Sequence, residues 1–149
     1  MLNEKLLNFA EPTGSKLNWT PQRSSPRDRR RILIVEDEGD SASLLQIFLT
    51  NEGYHAKIAL DGSKGIALAR QFSPDAIISD IHLTGTIDGY TLATTIRNDA
   101  KLNSVYLIAL SGFGEPEDKK RAKAAGFDAH LTKPLNIEAV QKAIVQGIG

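Results

Sequence analysis

Five positions in this 149-residue sequence carry side chains that could do chemistry together: Glu36, Asp37, Asp80, Ser111 and Lys133. Each stands at the end of a short apolar run. Glu36 and Asp37 follow Ile32-Leu33-Ile34-Val35, Asp80 follows Ala76-Ile77-Ile78-Ser79, Ser111 follows Val105 to Leu110, and Lys133 comes just after Ala129-His130-Leu131. Three crowded carboxylates repel one another and raise at least one pKa, and a hard divalent cation relieves that repulsion. Magnesium takes oxygen ligands, keeps several waters, and is commonly held by one or two carboxylates plus a phosphate oxygen. Lys133 offers a compact positive charge to a phosphoryl oxygen, and the Ser111 hydroxyl can donate a hydrogen bond to another. The remaining carboxylate, Asp80, is then the candidate nucleophile, because aspartate forms acyl phosphates. Metal and lysine would neutralise charge on the transferring group. Two readings share this chemistry: a domain that accepts a phosphoryl group at Asp80, and a small magnesium-dependent phosphohydrolase.

For these residues to meet, the runs that precede them must lie side by side. Short continuous runs rich in branched residues read as strands buried on both faces. Strands are expected at 32–35, 54–60, 76–79, 105–110 and 129–131. Between them the spacing predicts helices over 40–52, 63–72, 88–99, 116–125 and 136–146. In the first helix Asp40 or Ser41 is the expected N-cap and Gly53 the stop. Leu44, Leu45, Phe48 and Leu49 are assigned to the core, and Ala42, Gln46 and Ile47 to the outer surface. This alternation argues for an α/β domain with a doubly wound, five-stranded parallel sheet. A closed eight-fold barrel needs about 250 residues. In open α/β sheets the functional crevice lies beyond the carboxyl ends of the strands, where the five residues are expected.

Composition narrows the function classes. The chain has no cysteine, which removes disulfide scaffolds, thiolate metal sites and cysteine nucleophiles. No stretch approaches the ~20 apolar residues that span a bilayer, and the N-terminus lacks a signal-peptide pattern, so a cytoplasmic protein without a membrane role is expected. Residues 1–31 carry seven basic and three acidic residues, and residues 32–149 carry 11 basic and 15 acidic, so a tail of +4 precedes a body of −4. Pro12, Pro21, Pro26, the serines and Arg29-Arg30-Arg31 mark residues 1–30 as a flexible basic tail or linker. Leu2, Leu6, Leu7 and Phe9 allow a short amphipathic segment that docks on a partner. The cluster Lys119, Lys120, Arg121 and Lys123 reads as a solvated face, with a patch for an acidic partner as the alternative.

The motifs RILIVEDE, DAIISDIHL, LSG and LTKP, in this order on this alternation, resemble the receiver domain of two-component response regulators over residues 31–147. The resemblance implies a flavodoxin-like sheet of order 2-1-3-4-5 in a receiver domain spanning 31–149. It implies a phosphoprotein, with Asp80 as the phosphoacceptor in a phosphorelay. Glu36 and Asp37 would be the acidic pair holding Mg2+, with Asp80 and the main-chain carbonyl of His82 as further ligands. Ser111 would move toward the phosphoryl group, Lys133 would bind it, the Lys133-Pro134 bond would be cis, and His130 would occupy the aromatic switch position. The implied partners are a histidine kinase or histidine phosphotransfer protein, docking along the first helix with Ile47 as an exposed contact. A downstream protein effector would read the surface formed by the fourth helix (116–125), fifth strand (129–131) and fifth helix (136–146), the α4-β5-α5 surface, through which a homodimer would also form. No dedicated nucleic-acid module is visible, and the opening Met1 points to a stand-alone response regulator over the C-terminal receiver of a hybrid histidine kinase. The sequence departs from the family pattern in three places. The loop Leu83 to Gly89 lacks a proline and is one residue longer, Glu36 replaces the commoner aspartate, and the switch residue is histidine. His82 and Phe113 are expected to flank the site and tune access of water. His55 is expected to be half-buried and remote from it.

Overall fold

A computed structural model describes residues 29–112 and 116–149. Phe113 and the tail 1–28 lie outside the described residues. Strands β1 (Arg31–Val35), β2 (His55–Ala59), β3 (Ala76–Asp80), β4 (Tyr106–Ser111) and β5 (Ala129–Thr132) alternate with helices α1 (Gly39–Asn51), α2 (Gly62–Phe72), α3 (Gly89–Arg97), α4 (Pro116–Ala125) and α5 (Ile137–Ile148). The strands form one parallel sheet in the order β2-β1-β3-β4-β5. The order reverses between β1 and β3, so the switch point lies between the ends of the strands that carry Glu36 and Asp80.

Strand periodicity builds two cores. Leu33, Val35, Ile77, Leu107 and Ala109 face the helices α2, α3 and α4. Their neighbours Ile32, Ile34, Ile78, Ile108 and Leu110 face α1 and α5. Both sets are excluded from water, which is why these strands read as unbroken apolar runs.

Four expectations for α1 are corrected. Its core stripe is Ala42, Leu45 and Leu49, so Ala42 is buried where an outward position was expected. Leu44, assigned to the core, is 69% exposed. Gln46 is half-buried and donates to the Ala56 carbonyl at 3.0 Å. The run LLQIFL is apolar around most of the helix, so periodicity cannot fix its rotation; the small Ala42 decides it by allowing close approach to the sheet. The N-cap is Glu38, whose carboxylate accepts from the Ser41 amide at 3.0 Å, in place of Asp40 or Ser41. Gly53 takes the expected left-handed conformation, φ +97°. His55 is half-buried, its ring edge-on to Phe72 with 5.1 Å between centroids.

Candidate functional site

Parallel register delivers the site residues to one edge. β1 and β3 pair Val35 with Ser79, so the next residues, Glu36 and Asp80, emerge side by side. β3 and β4 pair Asp80 with Leu110, one residue before Ser111, and β4 and β5 pair Ser111 with Thr132, one residue before Lys133. The Lys133 amide donates to the Ser111 carbonyl at 2.8 Å, and the peptide bond to Pro134 is cis as expected.

Lys133 Nζ donates to Glu36 Oε2 at 2.9 Å and to Asp80 Oδ2 at 3.0 Å. Glu36 and Asp80 are 2% and 6% exposed, so this is a desolvated cluster and not a surface ion pair. Glu36 Oε1 accepts from the Glu38 amide at 3.1 Å, and Asp80 Oδ1 from the His82 amide at 3.2 Å. Burial pushes the Glu36 carboxyl above its ordinary value, against the lowering effect of the Lys133 and Glu38 hydrogen bonds. For Lys133, burial acts to lower the ammonium, but hydrogen bonds to Glu36 and Asp80 outweigh it and hold the group above the usual lysine range.

The loop after β3 shapes the open side. Thr84 donates its amide to Asp37 Oδ2 at 2.9 Å, and Gly85 supplies the left-handed residue, φ +95°. Asp88 caps α3 through the Thr91 amide at 2.8 Å. A Cβ at Gly89 would collide with the Asp80 main-chain oxygen, so only glycine lets α3 start this close to β3. The longer, proline-free loop therefore still reaches the acid cluster, through Thr84.

Glu36, Asp37 and Asp80 each offer one carboxylate oxygen, all within 4.8 Å of one another. Three carboxylates against one ammonium leave two negative charges, and the donors are hard oxygens. The residues present fit a divalent cation of the magnesium type. The His82 side chain is exposed, with Nε2 3.9 Å from Asp118 Oδ2.

Ser111, fully buried, shares a hydrogen bond of 2.9 Å between its Oγ and His130 Nε2. Sequence reasoning assigned both residues without pairing them. It missed the contacts that anchor the start of α4: Tyr90 donates to Asp118 Oδ1 at 3.2 Å, and the Arg121 guanidinium stacks over the Tyr90 ring at 4.1 Å. Lys119, Lys120, Arg121 and Lys123 are exposed, as a solvated face requires.

The model of the response regulator receiver domain family matches residues 32–145. The chain belongs to this family. The DNA-binding dual master transcriptional regulator RpaA of Synechocystis is 37% identical over 108 residues, covering 72% of this chain and 44% of RpaA, so the chain spans less than half of that relative. Protein PilH of Pseudomonas aeruginosa is 32% identical over 114 residues, covering 76% of this receiver chain and 93% of PilH. Among solved structures, the receiver domain of the sensor histidine kinase PA1611 from Pseudomonas aeruginosa, with a magnesium ion coordinated in its active site cleft, superposes with a TM-score of 0.75 at 28% identity. That match covers 81% of this chain and 98% of PA1611's domain. The receiver fold and its order 2-1-3-4-5 are thus those expected from sequence.

Proposed function

We propose that residues 31–149 form a phosphorelay receiver in which Asp80 accepts a phosphoryl group from a phosphohistidine on a histidine kinase or phosphotransfer protein. The observation that carries this reading is the triangle of Glu36, Asp80 and Lys133, closed by contacts of 2.9 and 3.0 Å at the switch point of the sheet. Glu36, Asp37, Asp80 and the His82 carbonyl would hold Mg2+. When bound, the ion offsets negative charge on the transferring oxygens and on the carboxylates that approach them.

The chain's own groups do the rest. A carboxylate oxygen of Asp80 attacks phosphorus, the phosphorus–nitrogen bond breaks, and the donor imidazole leaves with that electron pair. The product is an acyl phosphate on Asp80. Lys133 orients the attacking carboxylate and then turns its ammonium to a phosphoryl oxygen. Ser111 leaves His130 and donates to another phosphoryl oxygen. His130, released, takes a new rotamer, and the α4-β5-α5 surface shifts toward the conformation a downstream protein, or a second copy, prefers. The exposed Ile47 on α1 is the proposed donor contact. Water then hydrolyses the acyl phosphate slowly.

Residues 1–30 act as a tail, and the receiver works as a stand-alone, cytoplasmic response regulator. The match to 93% of PilH's length is in keeping with that context. Among the described residues no helix is long and apolar enough to cross a membrane. The test is intact mass after incubation with acetyl phosphate, with and without magnesium. One added phosphoryl group that needs the metal, together with no turnover of small phosphoesters, is the expected result. Rapid turnover of phosphoesters without a retained group would establish the hydrolase instead.

A further inference from the structure

Five large apolar side chains stand exposed among the described residues, and four of them lie on two neighbouring helices: Leu44 at 69% and Ile47 at 57% on α1, Ile137 at 48% and Val145 at 59% on α5. Two grooves follow the same seam. The upper one, ≈ 600 Å³, runs between Leu44, Pro134 and Ile137, and the lower one, ≈ 460 Å³, between Phe48, Tyr54 and Val145. An apolar strip of this kind marks an interaction surface. The charged residues lining the two grooves are Glu36, Glu52 and Glu138 against Lys133 and Lys142, and Glu38 and Asp40 add negative charge at the start of α1.

The sequence contains a complement. Leu2, Leu6 and Phe9 follow the spacing i, i+4, i+7 of one helical face, with Leu7 beside them. The stretch joining them to the body, residues 10–31, carries six basic residues (Lys16, Arg23, Arg27, Arg29, Arg30, Arg31) against Glu11 and Asp28. The chain enters the body beside the seam: the Arg30 carbonyl accepts from the His55 amide at 2.9 Å, and the preceding residue, Tyr54, lines the lower groove. A coil of the length from Phe9 to Arg30 spans about 25 Å root-mean-square. A helix as long as α1 is about 20 Å. Tethering at this distance gives a millimolar effective concentration, so weak contacts suffice for occupancy.

We propose that the N-terminal segment Leu2–Phe9 of this chain seats its apolar side chains on the α1–α5 face. On the receiver reading of the site, a phosphodonor protein that uses α1 must displace this segment, which makes the tail a brake on phosphoryl acceptance from proteins but not from small donors.

The chain has no cysteine, so Asn8→Cys in the full-length protein accepts a single nitroxide. Paramagnetic broadening of the backbone amide signals of Leu44, Ile47, Ile137 and Val145, with Lys64 on α2 and Thr94 on α3, across the sheet, spared, is the expected result. The added substitutions Leu6→Asp and Phe9→Asp should restore those signals. No broadening, or broadening spread evenly over the surface, would overturn the proposal. Broadening seen when the nitroxide chain is unlabelled and the observed chain carries none would overturn it too, by assigning the face to a second copy. The readout does not involve Asp80, so a failure here is separate from a failure of the receiver reading.

Discussion

His130 connects the buried site to the surface. Its Nε2 meets Ser111, while its buried Nδ1 has no hydrogen-bond partner among the described residues. Burial, and after it the charge of Lys119, hold this imidazole below its ordinary value of 6.5, with Asp118 acting the other way. A histidine kept neutral in the native state is protonated first in the unfolded chain, so stability rises with pH across that window. Its contribution is present in full above the unfolded value and is lost as pH falls toward the native one. His55, lowered by burial and by Lys57, Arg29 and Arg31, acts with the same sign. Urea midpoints measured between about pH 7.5 and 5.5 should therefore fall less steeply for His130→Gln than for the parent; equal slopes would contradict the assignment. Glu36, Asp37 and Asp80 were legible in the sequence because each ends a doubly buried strand, where the switch from apolar to charged is abrupt, and Lys133, after the half-buried edge strand β5, was legible through the LTKP motif. Tyr90, Asp118 and Arg121 were not. Their meeting depends on how α4 lies on α3, and α4 buries only Ala122, leaving no apolar stripe to announce its orientation.

At the scale of elements, two devices hold the frame around the site. Arg97, at the end of α3, donates to the carbonyls of Gly126, Asn103 and Val105 at 2.9, 2.8 and 2.7 Å, and to Asp128 at 2.7 Å. Asp128 in turn accepts from the Leu107 amide at 2.9 Å. One side chain thus joins α3, the turn before β4 and the approach to β5. Arg97→Ala is expected to cost about 2–3 kcal/mol in urea unfolding, and Arg97→Lys to recover only part, because an ammonium cannot span the fork. A cost below about 0.5 kcal/mol, the range of an ordinary surface substitution, would contradict that role. Gly89→Ala would push α3 away from the Asp80 carbonyl. A loss of about 1–3 kcal/mol, with shifted amide signals for residues 80–82, is expected. The β/α alternation was plain from the sequence because the two periods differ. The rotation of α1 was not, because five of the six residues of LLQIFL are apolar.

For the whole molecule, folding gathers three carboxylates and one ammonium at a single sheet edge, so metal binding and stability are linked. A cation that binds only the native state stabilises it by about 2.7 kcal/mol when its free concentration is ~100 times its Kd. Magnesium should raise the thermal midpoint of the parent chain and not that of Asp37→Asn. Lys133→Met leaves the carboxylates uncompensated, so it should be less stable without metal and gain more from it. An equal gain in all three proteins would place the ion elsewhere. The most direct measurement identifies the residue that carries the phosphoryl group. After acetyl phosphate and magnesium, borohydride reduction converts an aspartyl phosphate to homoserine, which peptide mass spectrometry locates. Homoserine at position 80, absent from Asp80→Asn, is the predicted result. Modification at another residue, or none despite intact folding, would contradict the account.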